Sequence, residues 1–309
     1  MTAPTLTPDQ AATLAGRRGP ARQLAMRLLL DLAAAAGAQA LVPIQSAHLS
    51  GVSPLTGGQG LLRLLRRLAA DPGAQVAVPT TLNAAGCDFA QFERMRIAQP
   101  DFLARSREIV ALYTQLGVRP ILSCVPYEWE GVRLEGPAAW AESNAICFGN
   151  SYGDLRTNRE SGLSALAAAL TGFAPGYGLL AAEARRPNLE VVVACPLAEP
   201  TDFSILGDWV GKQLRPGWRL PFGPIPLFHG LPAGLSHAAR KALAAGVANY
   251  GAPLLYLEPP AGLPADHPFQ ARLTFSAADL AGRYAALAPR RPLSLVVLGC
   301  PQASLGELR

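Results

Sequence analysis

Lysine is nearly missing from this chain of 309 residues, where two stand beside 25 arginines. Charged residues of both signs make up only 16%, and the net charge is +5. The arginines are scattered, and their densest cluster, LLRLLRRLAA over Leu61–Ala70, spaces them as the solvated face of an amphipathic helix. No recognition-helix pattern, zinc-finger spacing or aromatic-plus-basic strand accompanies them, so a nucleic-acid partner is not expected. Cysteine is also sparse. Five thiols, odd in number and widely spaced, do not make a disulfide framework, and reduced side chains in a cytoplasmic protein are the expectation. The opening MTAPTLTPDQ lacks an apolar signal core, so export is not expected either. An uncharged stretch, SGLSALAAALTGFAPGYGLLAA, is long enough for a bilayer, but Gly172, Pro175, Gly176 and Gly178 interrupt it. It reads as a buried helix followed by a Gly-rich loop, with no membrane partner.

What is there is a hydrophobic share of 50% and a repeated alternation of helix, strand and polar loop. Thr7 and Pro8 open a first helix as N-cap and first helical residue, and GPARQLAMRLLLDLAAAAG continues at helical spacing to Gly37. Short strand ALVPI ends at QSAHLSG. Helix GLLRLLRRLAADPG precedes strand AQVAVPT and loop TLNAAGCD, and helix DFLARSREIVALYTQLG precedes strand VRPILSC and loop VPYEWEG. Further on come helix SALAAALTG, strand LEVVVACPL, helix HAARKALAAGVANYG, strand APLLYLE, helix SAADLAGRYAALA and a last buried strand, LSLVVLG. This alternation predicts an α/β fold with mostly parallel sheets, in which ligands gather at the carboxyl ends of the strands. The Gly/Pro-rich connector Pro216–Gly234 divides the chain into lobes expected at residues 1–215 and 216–309.

Four loops carry the chemistry-bearing residues. They supply His48 with the hydroxyls of Ser46 and Ser50; Thr80, Thr81, Asn83 and Asp88; Cys124 and Tyr127; and, in AESNAICFGNSYGDLRTNRESG, Glu142, Ser143, Asn144, Asn150, Ser151, Arg156, Thr157 and Asn158. The last is the inventory for holding an anionic substrate in a desolvated cleft. Each residue also has a plain structural reading: His48 as a helix cap, Asn83 in an Asx turn, Glu142 paired with an arginine. Cys147 and Cys195 stand in apolar contexts and read as core residues.

In order, PTTLN…D, SCVPY, ESNAI…NS…RTN, P-GYG and the terminal GCP-AS-EL resemble the large, catalytic part of the aconitase X family. The resemblance runs from the first helix to Leu308. It implies an aconitase-like layered α/β/α fold and a hydro-lyase that eliminates water from a small hydroxy acid, mevalonate 5-phosphate in archaea or cis-3-hydroxy-L-proline in bacteria. It also implies an iron–sulfur cluster, [4Fe-4S] or [2Fe-2S], acting as a Lewis acid on the substrate hydroxyl. Cys124 and Cys300 match two cluster-ligand cysteines by position. Arg156 would pair with the substrate carboxylate, with His48, Thr80, Asn83, Glu142, Ser143, Asn144 and Thr157 around it. A small swivelling subunit would supply the serine base.

The chain departs from that pattern in several places. The family's third cluster-ligand cysteine lies in a continuation beyond the point where this sequence stops, Gln302 replaces a His after GCP, and Asp154-Leu155 replaces Gly-Ala before RT. These differences leave open a subunit completed by other chains, a truncated chain, or a cluster-less homologue that binds a small acid or a partner subunit. Cys87, beside Asn83 and Asp88, is a candidate substitute for the third ligand.

Overall fold

Residues 4–232, 234–289 and 292–308 are described by a computed structural model. In chain order the elements are α1 (Pro8–Leu14), α2 (Pro20–Ala36), β1 (Leu41–Pro43), β2 (Ser46–Leu49), α3 (Pro54–Ala69), β3 (Thr80–Leu82), α4 (Phe92–Met95), α5 (Phe102–Gln115), β4 (Glu135–Trp140), α6 (Ser143–Tyr152), β5 (Asp154–Arg156), α7 (Gly162–Thr171), β6 (Phe173–Pro175), β7 (Leu189–Val193), α8 (Pro200–Gln213), β8 (Pro226–His229), α9 (His237–Ala248), β9 (Ala271–Phe275) and α10 (Ala277–Leu287). Helices combined with mostly parallel sheets are the α/β class read from the alternation. The chain divides into two compact units: the residues up to Glu142 with Leu155–Leu180, and Ser143–Asp154 with the residues from Ala181 onward. The expected boundary at 215/216 falls inside the second of these.

The first unit is built on a sheet of order β3-β2-β4-β5, in which β2 runs parallel to both β3 and β4. Strand periodicity gives its two faces different characters. Ala47, Leu49, Leu82 and Ala139 join Met26, Leu29, Leu65, Ile109 and Leu166 in one hydrophobic core, so this face is covered by α2, α3, α5 and α7. The opposite parity carries Ser46, His48, Thr81 and Trp140. Helix starts follow the capping rules: Thr7 accepts from the Gln10 amide with Pro8 behind it, as expected, and Ser53 and Ser161 cap α3 and α7 in the same way. A separate antiparallel pair, β1 with β6, sets Leu41 opposite Pro175.

The second unit carries a parallel sheet of order β8-β7-β9. Its helices α8 and α9 pack closely because Gly207 has no side chain: a Cβ there would lie 2.7 Å from the Val247 backbone nitrogen.

Several expected elements change form. QSAHLSG, read as a loop, contains β2, because Ser46–Leu49 has a parallel neighbour on each side. The polar run after Glu142 folds into α6 and β5, and α6 buries every residue from Asn144 to Asn150. VRPILSC and APLLYLE shrink to single bridges, Thr81 with Arg119 and Leu227 with Tyr256. The last expected strand, LSLVVLG, does not form among the described residues. Its apolar side chains stay exposed, from 64% at Leu293 to 81% at Val297, because no neighbouring strand or helix covers them there. No helix among the described residues is long and apolar enough to cross a membrane.

Candidate functional site

The carboxyl ends of β2, β3 and β4 meet in the first unit, and short contacts tie them together. Asn83 follows β3, and its backbone N–H donates to the Leu49 carbonyl at the end of β2 (2.9 Å). Its side-chain amide donates to Glu142 Oε2 at 2.7 Å, while its own Oδ1 accepts from the Ala84 N–H at 2.8 Å. Ser50, just past β2, donates its hydroxyl to the Ala141 carbonyl at 2.8 Å. The turn leading into α7 closes on the same ends: the Glu160 N–H donates to the Trp140 carbonyl (3.1 Å). Gly162 lies so near the Ser50 carbonyl oxygen that a Cβ would stand 2.3 Å from it. Sequence reasoning singled out Asn83 and Glu142, and counted the Ser50 hydroxyl among those of its loop. It missed Glu160, whose place depends on the start of α7 packing against β2.

His48 is fully buried in β2, opposite Thr81 of β3 on one side and Trp140 of β4 on the other. Its Nδ1 shares a hydrogen bond with Thr81 Oγ1 at 2.8 Å, and its ring centroid lies 5.8 Å from that of Trp140. Burial drives its pKa from the usual 6.5 down to about 3, so the imidazole is neutral, and Nε2 has no hydrogen-bond partner. A helix-capping His48 is therefore excluded. On the same sheet face a cavity of about 590 Å³ is lined by Ser46, Thr81, Arg119, Arg133 and Trp140 among others. It borders the starts of β2, β3 and β4 as well as Trp140, not the Asn83 and Glu142 cluster. By the α/β rule the cluster is the better candidate for chemistry.

Much of the polar run from Glu142 to Asn158 holds the fold. Thr157, fully buried, accepts from the Trp140 N–H and donates to the Asn158 carbonyl, both at 3.0 Å. Asn158 pins the Tyr177 loop, donating to the Tyr177 carbonyl (3.1 Å) and accepting from the Leu179 N–H (2.8 Å). Thr80, also buried, donates to the Val78 carbonyl at 2.8 Å. Arg156 is exposed on β5. In the second unit Ser143 opens α6, Asn144 is buried on it, and Asn150 donates to the Pro253 carbonyl at 2.9 Å.

No disulfide joins any of the five cysteines. Cys147 is core, as expected, whereas Cys195 is only partly buried. Cys124 is partly buried in the first unit, and Cys300 is exposed in the second. Burial pushes the Cys87 thiol up; a hydrogen bond with Ser106 opposes this and the nearby Asp88 adds to it, so Cys87 is poorly set up as a thiolate donor. Among the described residues no three His, Cys, Asp or Glu side chains gather to hold a metal ion. A cluster that needs three protein thiolates therefore does not fit these residues alone.

Residues 3–183 match the family model described as the aconitase X first domain. Over 98% of its length the chain is 36% identical to the phosphomevalonate dehydratase large subunit of Methanosarcina mazei, covering 74% of that protein. It is 34% identical to the cis-3-hydroxy-L-proline dehydratase of Pseudomonas aeruginosa over 94% of this chain and 47% of that one. The crystal structure of Thermococcus kodakaraensis aconitase X in its holo-form superposes with a TM-score of 0.84 at 32% identity, across 98% of this chain and 75% of that one. The ordered motifs, the mostly parallel α/β architecture and these matches agree: the chain belongs to the aconitase X family.

Proposed function

We propose that the chain is the large subunit of a cytoplasmic hydro-lyase that eliminates water from a small hydroxy-carboxylic acid, either cis-3-hydroxy-L-proline or mevalonate 5-phosphate. The observation that carries this reading is the Asn83 and Glu142 pair at the carboxyl ends of parallel strands, 2.7 Å apart, in a chain whose relatives bear dehydratase names. Asn83 fixes the Glu142 carboxylate, and the pair orients substrate. Arg156 presents a guanidinium that can grip the substrate carboxylate bidentately. His48 acts through Thr81, whose hydroxyl it holds, and Thr80 and Thr157 shape the surroundings. A small subunit brings the base that removes the proton next to the carboxylate. The iron–sulfur cluster belongs to this reading only with protein donors from outside the described residues.

The test is anaerobic purification of the chain, alone and with a small-subunit partner, followed by iron and sulfide analysis and assays on both acids. The isolated chain is expected to bind little iron and to dehydrate neither acid, gaining both properties in the complex. Arg156→Lys should weaken substrate binding markedly, because it loses the fork geometry. A stoichiometric cluster with turnover in the isolated chain would overturn the requirement for a partner. Because no three-donor group is present among the described residues, a second reading stands beside the first: a homologue without a cluster that binds a small acid or a partner subunit. Turnover of neither acid by the complex would select it.

A further inference from the structure

The cavity over the starts of β2, β3 and β4 has no part in the hydro-lyase reading. Every residue that lines it belongs to the first unit. Its volume of about 590 Å³ suits a small organic molecule, being larger than a bare ion requires. The floor is buried: Ala47, Thr81 and Trp140 are almost closed to solvent. Gln45, Pro79, Arg119, Arg133 and Glu135 are exposed and form the rim. The result is a pit with a packed base and a charged mouth.

Backbone pairing brings both arginines to that mouth. Arg119 forms a parallel bridge with Thr81, donating its N–H to the Thr80 carbonyl (2.9 Å) and accepting from the Leu82 N–H (3.0 Å). Its Nη1 donates to the Glu130 carbonyl at 2.9 Å, which takes one of the five guanidinium donors; among the described residues no other acceptor holds it. The chain turns directly afterwards, where the Val132 N–H donates to the Trp129 carbonyl at 3.2 Å, and Arg133 follows on the same wall. Arg133 pairs with Glu135 at 3.2 Å, but both side chains are more than half exposed. Such a pair contributes little to stability and is readily exchanged for another oxyanion.

We infer that this pit binds a small organic anion, its carboxylate or phosphate group held by Arg119 and Arg133 and its apolar body lying against Ala47, Pro79 and Val132. Two guanidiniums face one carboxylate in the wall, so the local charge favours an anion, and the planar fork of each arginine matches an oxyanion through paired N–H groups. The base of the pit is polar as well. His48 stands between Thr81 and Trp140 on the same sheet face, its Nδ1 bonded to Thr81 Oγ1 at 2.8 Å and its Nε2 buried without a partner. A core built only for packing satisfies or omits such an atom. The inference does not depend on the hydroxy-acid reading, because the pit lies at the starts of strands whose other ends carry Asn83 and Glu142.

The experiment is calorimetric titration of the full chain with benzoate, phenyl phosphate and inorganic phosphate. The first two share one apolar body and carry the two kinds of anionic group, so they tell a carboxylate site from a phosphate site. At least one of them should bind with a Kd below about 1 mM, and inorganic phosphate should bind about tenfold more weakly than the better of the two. Arg119→Gln and Arg133→Gln should each weaken that binding about tenfold or more. Both arginines are exposed, so the variants should keep the wild-type melting temperature. Glu135→Gln removes the competing carboxylate and should tighten binding, while Arg156→Lys, outside the pit, should leave it unchanged. Binding of neither organic anion, equal affinity in the Arg119 and Arg133 variants, or inorganic phosphate bound as tightly as the organic anions overturns the inference. So does binding that Arg156→Lys removes and the pit variants keep, which would place the anion at the hydroxy-acid site instead.

Discussion

His48 makes a measurable link between the sheet of the first unit and pH. In the fold its imidazole is fully buried and titrates only near pH 3, against 6.5 when free. As pH falls below 6.5 the unfolded chain takes up a proton that the folded chain refuses, so stability is complete above the free value and is lost on the way down toward 3. At pH 5 the loss from this one group is about 2 kcal/mol relative to pH 7, and it hardly changes for any folded value below about 4. Because the side chain is fully buried, solvent screening does not discount it. The assay is urea unfolding of wild type and His48→Asn at both pH values, followed by tryptophan fluorescence and circular dichroism. Asn costs some stability of its own, but that cost cancels in the pH difference. Wild type should lose about 2 kcal/mol more than the variant between pH 7 and 5. Equal losses in the two proteins would refute the buried, neutral imidazole.

Gly162→Ala drives a methyl group to 2.3 Å from the Ser50 carbonyl oxygen and should cost about 1–3 kcal/mol, read as a lower melting temperature; an unchanged melting temperature would mean that the start of α7 is free to move off β2. In the second unit Lys241 is only 2% exposed, and its ammonium donates to the Gln302 carbonyl at 2.7 Å and to Glu307 Oε2 at 2.8 Å. Burial alone would raise the Glu307 carboxyl, but the hydrogen bonds from Lys241 and Ser304 outweigh it and hold the carboxyl below its usual range. Lys241→Met removes the donor, so amide exchange over residues 302–308 should accelerate; unchanged protection would show that the segment is held by other contacts. The exposed apolar run Leu293–Leu298 should bind a hydrophobic dye, and Val297→Ser with Leu295→Ser should reduce that binding. Equal dye binding before and after the change would place the apolar surface elsewhere.

The α/β class was legible because helical spacing and strand alternation come from burial, which the order of apolar residues records directly. Capping was legible for the same local reason: Thr7, Pro8 and Gln10 act within one turn. Partner choice was not. Whether QSAHLSG is a loop or a strand depends on β3 and β4 lying on either side of it, and His48 gains its neutral, buried state only from that pairing. The polar run after Glu142 shows the same limit. Asn, Thr and Ser satisfy buried backbone groups as readily as they hold ligands, and the sequence does not say which. Thr157 and Asn158 serve the backbone, and Glu160 joins them through its own N–H on the Trp140 carbonyl.

The terminal segment carries this argument furthest. Its apolar residues do not alternate with polar ones, which is the pattern of a parallel strand covered on both faces. The described residues cover neither, and Leu295 and Val297 stay mostly exposed. Lys241 ties down the carbonyl of Gln302 and the side chain of Glu307, so the segment is anchored beyond Cys300 while the run before Cys300 lacks the packing that its composition calls for. Side chains held by packing are placed accurately, and side chains on uncovered segments are not.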